Sequence, residues 1–143
     1  MCGIAGFAGT SPLNVSQCEV VVGRMLDTLK HRGPDDGDCF FDTHVALGHD
    51  RLSIIDLSPR GRQPMCNEDG RIQIVFNGEI YNFKGLRTKL IAAGHRFTSH
   101  TDTEVLVHGY EEWKLSGLLE QIEGMFAFAL WDATQSRLYL VRD

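Results

Sequence analysis

The chain lacks the features that would mark several large classes of protein. Its 143 residues contain no C-x-x-C pair, and Cys2, Cys18, Cys39 and Cys66 are widely separated. Six histidines form no H-E-x-x-H segment, so the spacing argues against structural zinc and against a disulfide framework, and for reduced thiols in a cytoplasmic setting. Positive charge is also in deficit: 14 Lys and Arg stand against 19 Asp and Glu, a formal charge of -5. No basic field attracts nucleic acid or anionic lipid. No apolar run approaches the roughly 18 residues that a membrane helix requires, and the opening Met-Cys-Gly-Ile-Ala-Gly has neither the charged start nor the long apolar centre of a secretory signal.

The composition that remains, 43% hydrophobic and 23% charged, is that of a single globular domain. Residues 2 to 8 read as a short strand rich in glycine, whose spacing does not fit a dinucleotide-binding loop. A helix is expected over 15–30, with Ser16 and Glu19 as a capping box, Val15 and Val20 as a hydrophobic staple, and Val22, Met25, Leu26 and Leu29 on its apolar face. His-Arg-Gly-Pro-Asp-Asp-Gly at 31–37 is a turn. Strands are expected at 38–41, 45–49 and 72–76, the last ending on Asn77-Gly78, with a polar loop over 57–70. A helix over 82–93 is stopped by Gly94, and another opens on the capping box Thr101 and Glu104, turning Val105, Leu106, Tyr110 and Trp113 to the core. A hairpin follows, 126–131 answered by 137–142. Both its strands are apolar on both faces, the mark of a sheet enclosed between layers, and the sequence stops at Asp143 with nothing further to cover it. A chain cut short at its C-terminus is the expectation.

Candidate chemistry begins at Cys2, which becomes the first residue if Met1 is removed. Thiol and α-amine then share one carbon, and an amine titrating near pH 7.7–8.0 can take the thiol proton. The plain alternative is a small residue that follows the start codon. Asn77 and Gly78 offer a side-chain amide and an unhindered backbone N–H side by side, as an oxyanion hole needs, although Asn-Gly is also a hairpin turn signal. Arg51 could clamp a carboxylate or make an ordinary ion pair. Asp102 could receive an ammonium or serve the dipole of its helix, and Glu79 could bind an amine or be merely solvated. The six histidines suggest no catalytic set.

Taken in order, seven segments resemble the class II glutamine amidotransferase domain, of the N-terminal-nucleophile type, found in glutamine-hydrolysing asparagine synthetases. They are MCGIAG at 1–6, HRGPD at 31–35, RLSIID at 51–56, FNGEIYN at 76–82, TDTE at 101–104, GMFAFALWD at 124–132 and the closing VRD. The resemblance spans the whole chain. It implies an α+β fold, a four-layer α-β-β-α sandwich incomplete at the C-terminus, with residues 1–143 as a partial glutaminase domain and the synthetase domain absent. Carried over residue by residue, it implies Cys2 as nucleophile, Asn77 and Gly78 as oxyanion donors, and Arg51 on the α-carboxylate of L-glutamine. Asp102 and Glu79 would receive its α-amino group, and the backbone around Ile54 and Ile55 would complete the pocket.

The function so implied is hydrolysis of glutamine to glutamate and ammonia through a Cys2 thioester, for ATP-dependent amidation of aspartate elsewhere. No metal or organic cofactor is expected in this chain. ATP and magnesium would belong to the synthetase domain or subunit that accepts the ammonia, because no Ser-Gly-Gly-x-Asp-Ser segment is present. The alternatives are a catalytically silent amidotransferase-like module, or a fragment that does not fold alone.

Overall fold

The computed structural model describes residues 1–143. In chain order the elements are β1 (Gly3–Ala8), α1 (Val15–Leu29), β2 (Asp36–Phe41), β3 (Val45–Arg51), a 3-10 turn (Pro59–Gly61), β4 (Met65–Cys66), β5 (Ile72–Ile80), α2 (Phe83–Ala92), α3 (Thr103–Leu119), β6 (Gly124–Asp132) and β7 (Arg137–Arg142). The strands form two antiparallel sheets, one ordered β1-β3-β2 and the other β4-β5-β6-β7.

Strand alternation explains how these pieces stack. On β3, Ala46 points to one face and packs with Cys18, Val22 and Leu26 of α1, while Val45 and Leu47 point to the other and meet Val75, Ala129 and Trp131 of the second sheet. On β6, Phe128 and Leu130 point away from that contact into a third cluster with Leu86, Leu90, Leu106 and Tyr110 of α2 and α3. Three apolar interfaces therefore separate four layers: α1, the β1-β3-β2 sheet, the β4-β5-β6-β7 sheet, and α2 with α3. This is the expected α-β-β-α sandwich, in which β6 is enclosed on both faces while the edge strand β7 is left partly uncovered, with Leu140 76% exposed.

Several boundaries differ from the sequence expectation. Helix α1 is capped by Asn14, whose Oδ1 accepts the Gln17 N–H at 3.1 Å, so Ser16 and Glu19 lie inside the first turns and form no capping box. Asparagine caps as well as serine, and it stands two residues earlier. Val15, Val20 and Met25 are exposed, and the buried face is Cys18, Val22 and Leu26. In α3 the Thr101 Oγ1 does accept the Glu104 N–H, at 3.3 Å. The Glu104 carboxylate, however, reaches back past Thr101 to the backbone N–H groups of Thr98 and Ser99, at 2.7 Å each. Strand β3 extends to Arg51 because β2 begins at Asp36 and pairs with it.

The largest departure concerns Asn77 and Gly78. They neither end a strand nor make a turn: β5 runs through them to Ile80, paired with β6 throughout. Glycine is required there by close approach, since a Cβ on Gly78 would lie 2.2 Å from the Met125 carbonyl oxygen.

Candidate active site

One cavity of about 180 Å³ opens where the first sheet meets the second, and the residues singled out in the sequence converge on it. Cys2, Arg51, Asn77, Gly78 and Asp102 line it. Ile54, Ile55 and Glu79 line it also, as exposed groups at its rim.

Cys2 stands one residue before β1, held against the continuation of β3. Its Sγ accepts the Leu52 N–H at 3.4 Å and lies 3.7 Å from the Leu52 carbonyl. Arg32 donates from Nε to the Cys2 carbonyl at 3.0 Å. The chain can approach this closely because residue 33 is glycine: a Cβ there would sit 2.1 Å from the Asp50 carbonyl oxygen. Met1 also lines the cavity and is 70% exposed.

Arg51, the last residue of β3, is buried with no carboxylate partner. Its guanidinium donates to the Ser58 carbonyl at 2.9 Å and to the Asp56 carbonyl. Only neutral oxygens balance this cation, which leaves it suited to an incoming carboxylate. Asp56 in turn joins two loops, accepting the Ser58 N–H and the His100 N–H at 2.8 and 2.9 Å. The His100 and Ser58 donors hold its carboxyl down to about 2.

Strand geometry isolates one backbone donor. On β5 the Phe76 N–H goes to Gln63 Oε1 at 2.6 Å, and the Ile80 N–H to Asp102 Oδ2 at 2.9 Å. Both point away from β6. Because successive N–H groups alternate in a strand, the Gly78 N–H points to this same edge, between those two donors, and no side chain accepts it. Beside it the Asn77 side chain makes no hydrogen bond, and its Oδ1 is buried without a partner. The cavity therefore has an unclaimed backbone donor and an unclaimed carboxamide next to each other.

Asp102 is 5% exposed. Burial pushes its carboxyl above the ordinary range, against the lowering effect of the Ile80 N–H and of nearby backbone amides. A cation placed beside it would reverse that shift. Arg51 and Asp102 thus give one cavity a buried positive group and a buried negative one, the pattern that receives a zwitterionic amino acid.

The sequence profile of the glutamine amidotransferase domain matches residues 1–143. The chain belongs to that family. The amidotransferase domain is similar over its full length to asparagine synthetase [glutamine-hydrolyzing] 3 of Bacillus subtilis (strain 168), at 43% identity over 145 residues and 23% of the relative's length. It is 40% identical over 153 residues to amidase chry2 of Gibberella zeae, covering 22% of it, and 39% identical over 149 residues to the asparagine synthetase of Triphysaria versicolor, covering 24%. The chain thus spans about a quarter of the length of the curated relatives it matches. Among solved structures, the fold is similar to a glutamine phosphoribosylpyrophosphate amidotransferase from B. subtilis complexed with ADP and GMP. The TM-score there is 0.59 and the identity 19%, over 98% of this chain and 31% of that one.

Sequence reasoning missed the residues that hold the walls of this cavity together. Asp56 had a partial signal, because Asp-Leu-Ser is an Asx-turn pattern. Gln63 had none: its side chain spans from the Phe76 N–H to Thr103 Oγ1, at 3.2 Å, a contact only the tertiary fold creates. Thr101 and Thr103 flank Asp102 and line the cavity too. Away from the cavity, His95 and His108 come together with ring centroids 5.0 Å apart.

Proposed function

We propose that this chain is the glutaminase half of an asparagine synthetase-like enzyme, hydrolysing L-glutamine to glutamate and ammonia. The observation that carries the reading is the convergence of Cys2, Arg51, the Gly78 N–H edge and Asp102 on one cavity. Similarity to glutamine-hydrolysing asparagine synthetases supports an ammonia acceptor of that class, with aspartate, ATP and magnesium handled by a synthetase domain or subunit.

The steps follow from the groups present. Removal of Met1 frees the Cys2 amine and takes an exposed side chain from the cavity. Arg51 binds the glutamine α-carboxylate, and Asp102, with Glu79 at the rim, binds its α-ammonium. The substrate's side-chain amide then lies between Cys2 and the β5 edge. The Cys2 amine takes the thiol proton, the sulfur forms a bond to the amide carbon, and the carbonyl electron pair moves to oxygen. The Gly78 N–H and the Asn77 carboxamide meet that charge, each worth about 3 kcal/mol in the transition state. The intermediate collapses, ammonia departs with the proton from the Cys2 ammonium, and water, deprotonated by the same amine, hydrolyses the thioester. The steps in this chain use no metal or organic cofactor.

Glutamate release from L-glutamine by the folded chain tests the proposal. We expect turnover that Cys2→Ala abolishes. A folded chain whose glutamate release is unchanged by Cys2→Ala would contradict it, and a folded chain with no release would favour the silent module.

A further inference from the structure

At the corner where α2 gives way to α3, far from Cys2 in sequence, three side chains from two segments converge. His95 follows the end of α2, and His108 and Glu111 lie one turn apart on α3. One ligand atom from each falls within 4.8 Å of the other two. His108 Nδ1 is 3.1 Å from Glu111 Oε2, and His95 Nδ1 is 3.9 Å from that same oxygen. A tetrahedral zinc site, with bonds of about 2.0–2.2 Å to nitrogen and oxygen, sets its ligand atoms about 3.3–3.6 Å apart. These two separations bracket that value, and the third, between the two imidazoles, lies within 4.8 Å.

The atoms left over are each engaged from behind. His95 Nε2 meets Glu112 Oε2 at 3.2 Å, and His108 Nε2 faces Glu104 Oε1 at 3.8 Å. Glu111 Oε1 accepts from Asn67 Nδ2 at 2.8 Å. Carboxylates behind imidazoles and an amide behind a carboxylate are the outer partners that orient metal ligands. The cluster is also short of positive charge: Glu104, Glu111 and Glu112 surround the two imidazoles, and no lysine or arginine pairs with them. His108 is buried, its side chain 4% exposed, whereas those of His95 and Glu111 are 16% and 26% exposed, which leaves an open side for water.

We infer that His95, His108 and Glu111 bind one divalent transition-metal ion of the zinc class, which clamps the end of α2 to α3. The inference stands apart from the glutaminase reading, since no step of that reaction passes through the ion.

Titration of the metal-stripped chain with Co2+ tests it. We expect one Co2+ per chain, the visible absorption of a tetrahedral N/O site, displacement by Zn2+, and a higher unfolding temperature with either ion. His95→Gln should abolish binding, and Glu112→Gln should weaken it by about tenfold to hundredfold, with metal-free melting of both variants close to the parent's. Cys2→Ala and Cys66→Ser should leave binding intact. Absence of stoichiometric binding, binding that survives His95→Gln, or thiolate absorption that Cys66→Ser removes would overturn the inference. A His95→Gln chain that fails to fold is replaced by Glu111→Gln, for which the same loss is expected.

Discussion

Asp102 accepts the Ile80 N–H at 2.9 Å, which fastens the proposed ammonium site to the strand that carries the proposed oxyanion donors. Asp102→Asn keeps the shape and an acceptor for that N–H and removes only the charge. A hydrogen bond to a charged group is worth about 1.5–3 kcal/mol, so KM for glutamine should rise about tenfold to hundredfold. Steady-state glutamate release should show kcat moving much less.

Asn77 and Gly78 separate chemistry from structure. Asn77→Ala removes a donor whose side chain makes no bond within the protein, so kcat should fall about 10²- to 10³-fold with little change in KM or melting temperature. Gly78→Ala should lower the melting temperature as well, because its Cβ would meet the Met125 carbonyl at 2.2 Å, and backbone must shift. Paired kinetics and thermal melts of the two variants check this.

Arg51 binds two carbonyls at once, those of Ser58 and Asp56. Lysine cannot reproduce that fork. Arg51→Lys should raise KM at least as much as Asp102→Asn does and lower stability by about 1–3 kcal/mol, as one carbonyl loses its partner. Denaturant unfolding beside kinetics reads both effects.

The layers were legible in the sequence because they follow from alternation. Phe128 and Leu130 on one face of β6, with Ala129 and Trp131 on the other, already require cover on both sides. The candidate site residues were legible as motifs, and all of them line one cavity. What could not be read was the backbone path. Asn77-Gly78 carries a turn signal locally, yet β6 pairing holds it extended, as a non-local contact overrides a dipeptide preference. Gln63 and the His95–His108 pair were equally hidden, since contacts closed over 13 to 40 residues leave no local periodicity.

His49 lies on β3 between the sheets, fully buried, with Nε2 bonded to the Phe76 carbonyl at 3.2 Å and Nδ1 unpartnered. Burial lowers it to about 4, against the raising effect of the Phe76 bond and with help from Arg51. The folded value lies below the unfolded one, so the unfolded chain takes the proton first as pH falls. Stability should therefore be full above pH about 6.5 and drop toward pH 4, by on the order of 3 kcal/mol once both states are protonated. Thermal melts across that window should show the fall in the parent and a flatter profile in His49→Gln.

Glu104 is expected to act in a lower window. Burial raises its carboxyl, but the nearby His108 imidazole and hydrogen bonds from Ser99 and Thr98 outweigh that and hold it at about 2, below its ordinary 4.5. Its contribution is present above pH about 4.5 and is lost as pH falls toward 2. Glu104→Gln should weaken that acid-side loss without touching the His49 step, as melts below pH 4.5 would record.

The most direct test combines intact and peptide mass spectrometry of the chain after reaction with a glutamine-like diazoketone. The account predicts a protein without Met1, carrying one adduct on the Cys2 sulfur that excess L-glutamine prevents. Retained Met1 with an unlabelled Cys2, or an adduct on the exposed Cys66 that glutamine does not suppress, would contradict it.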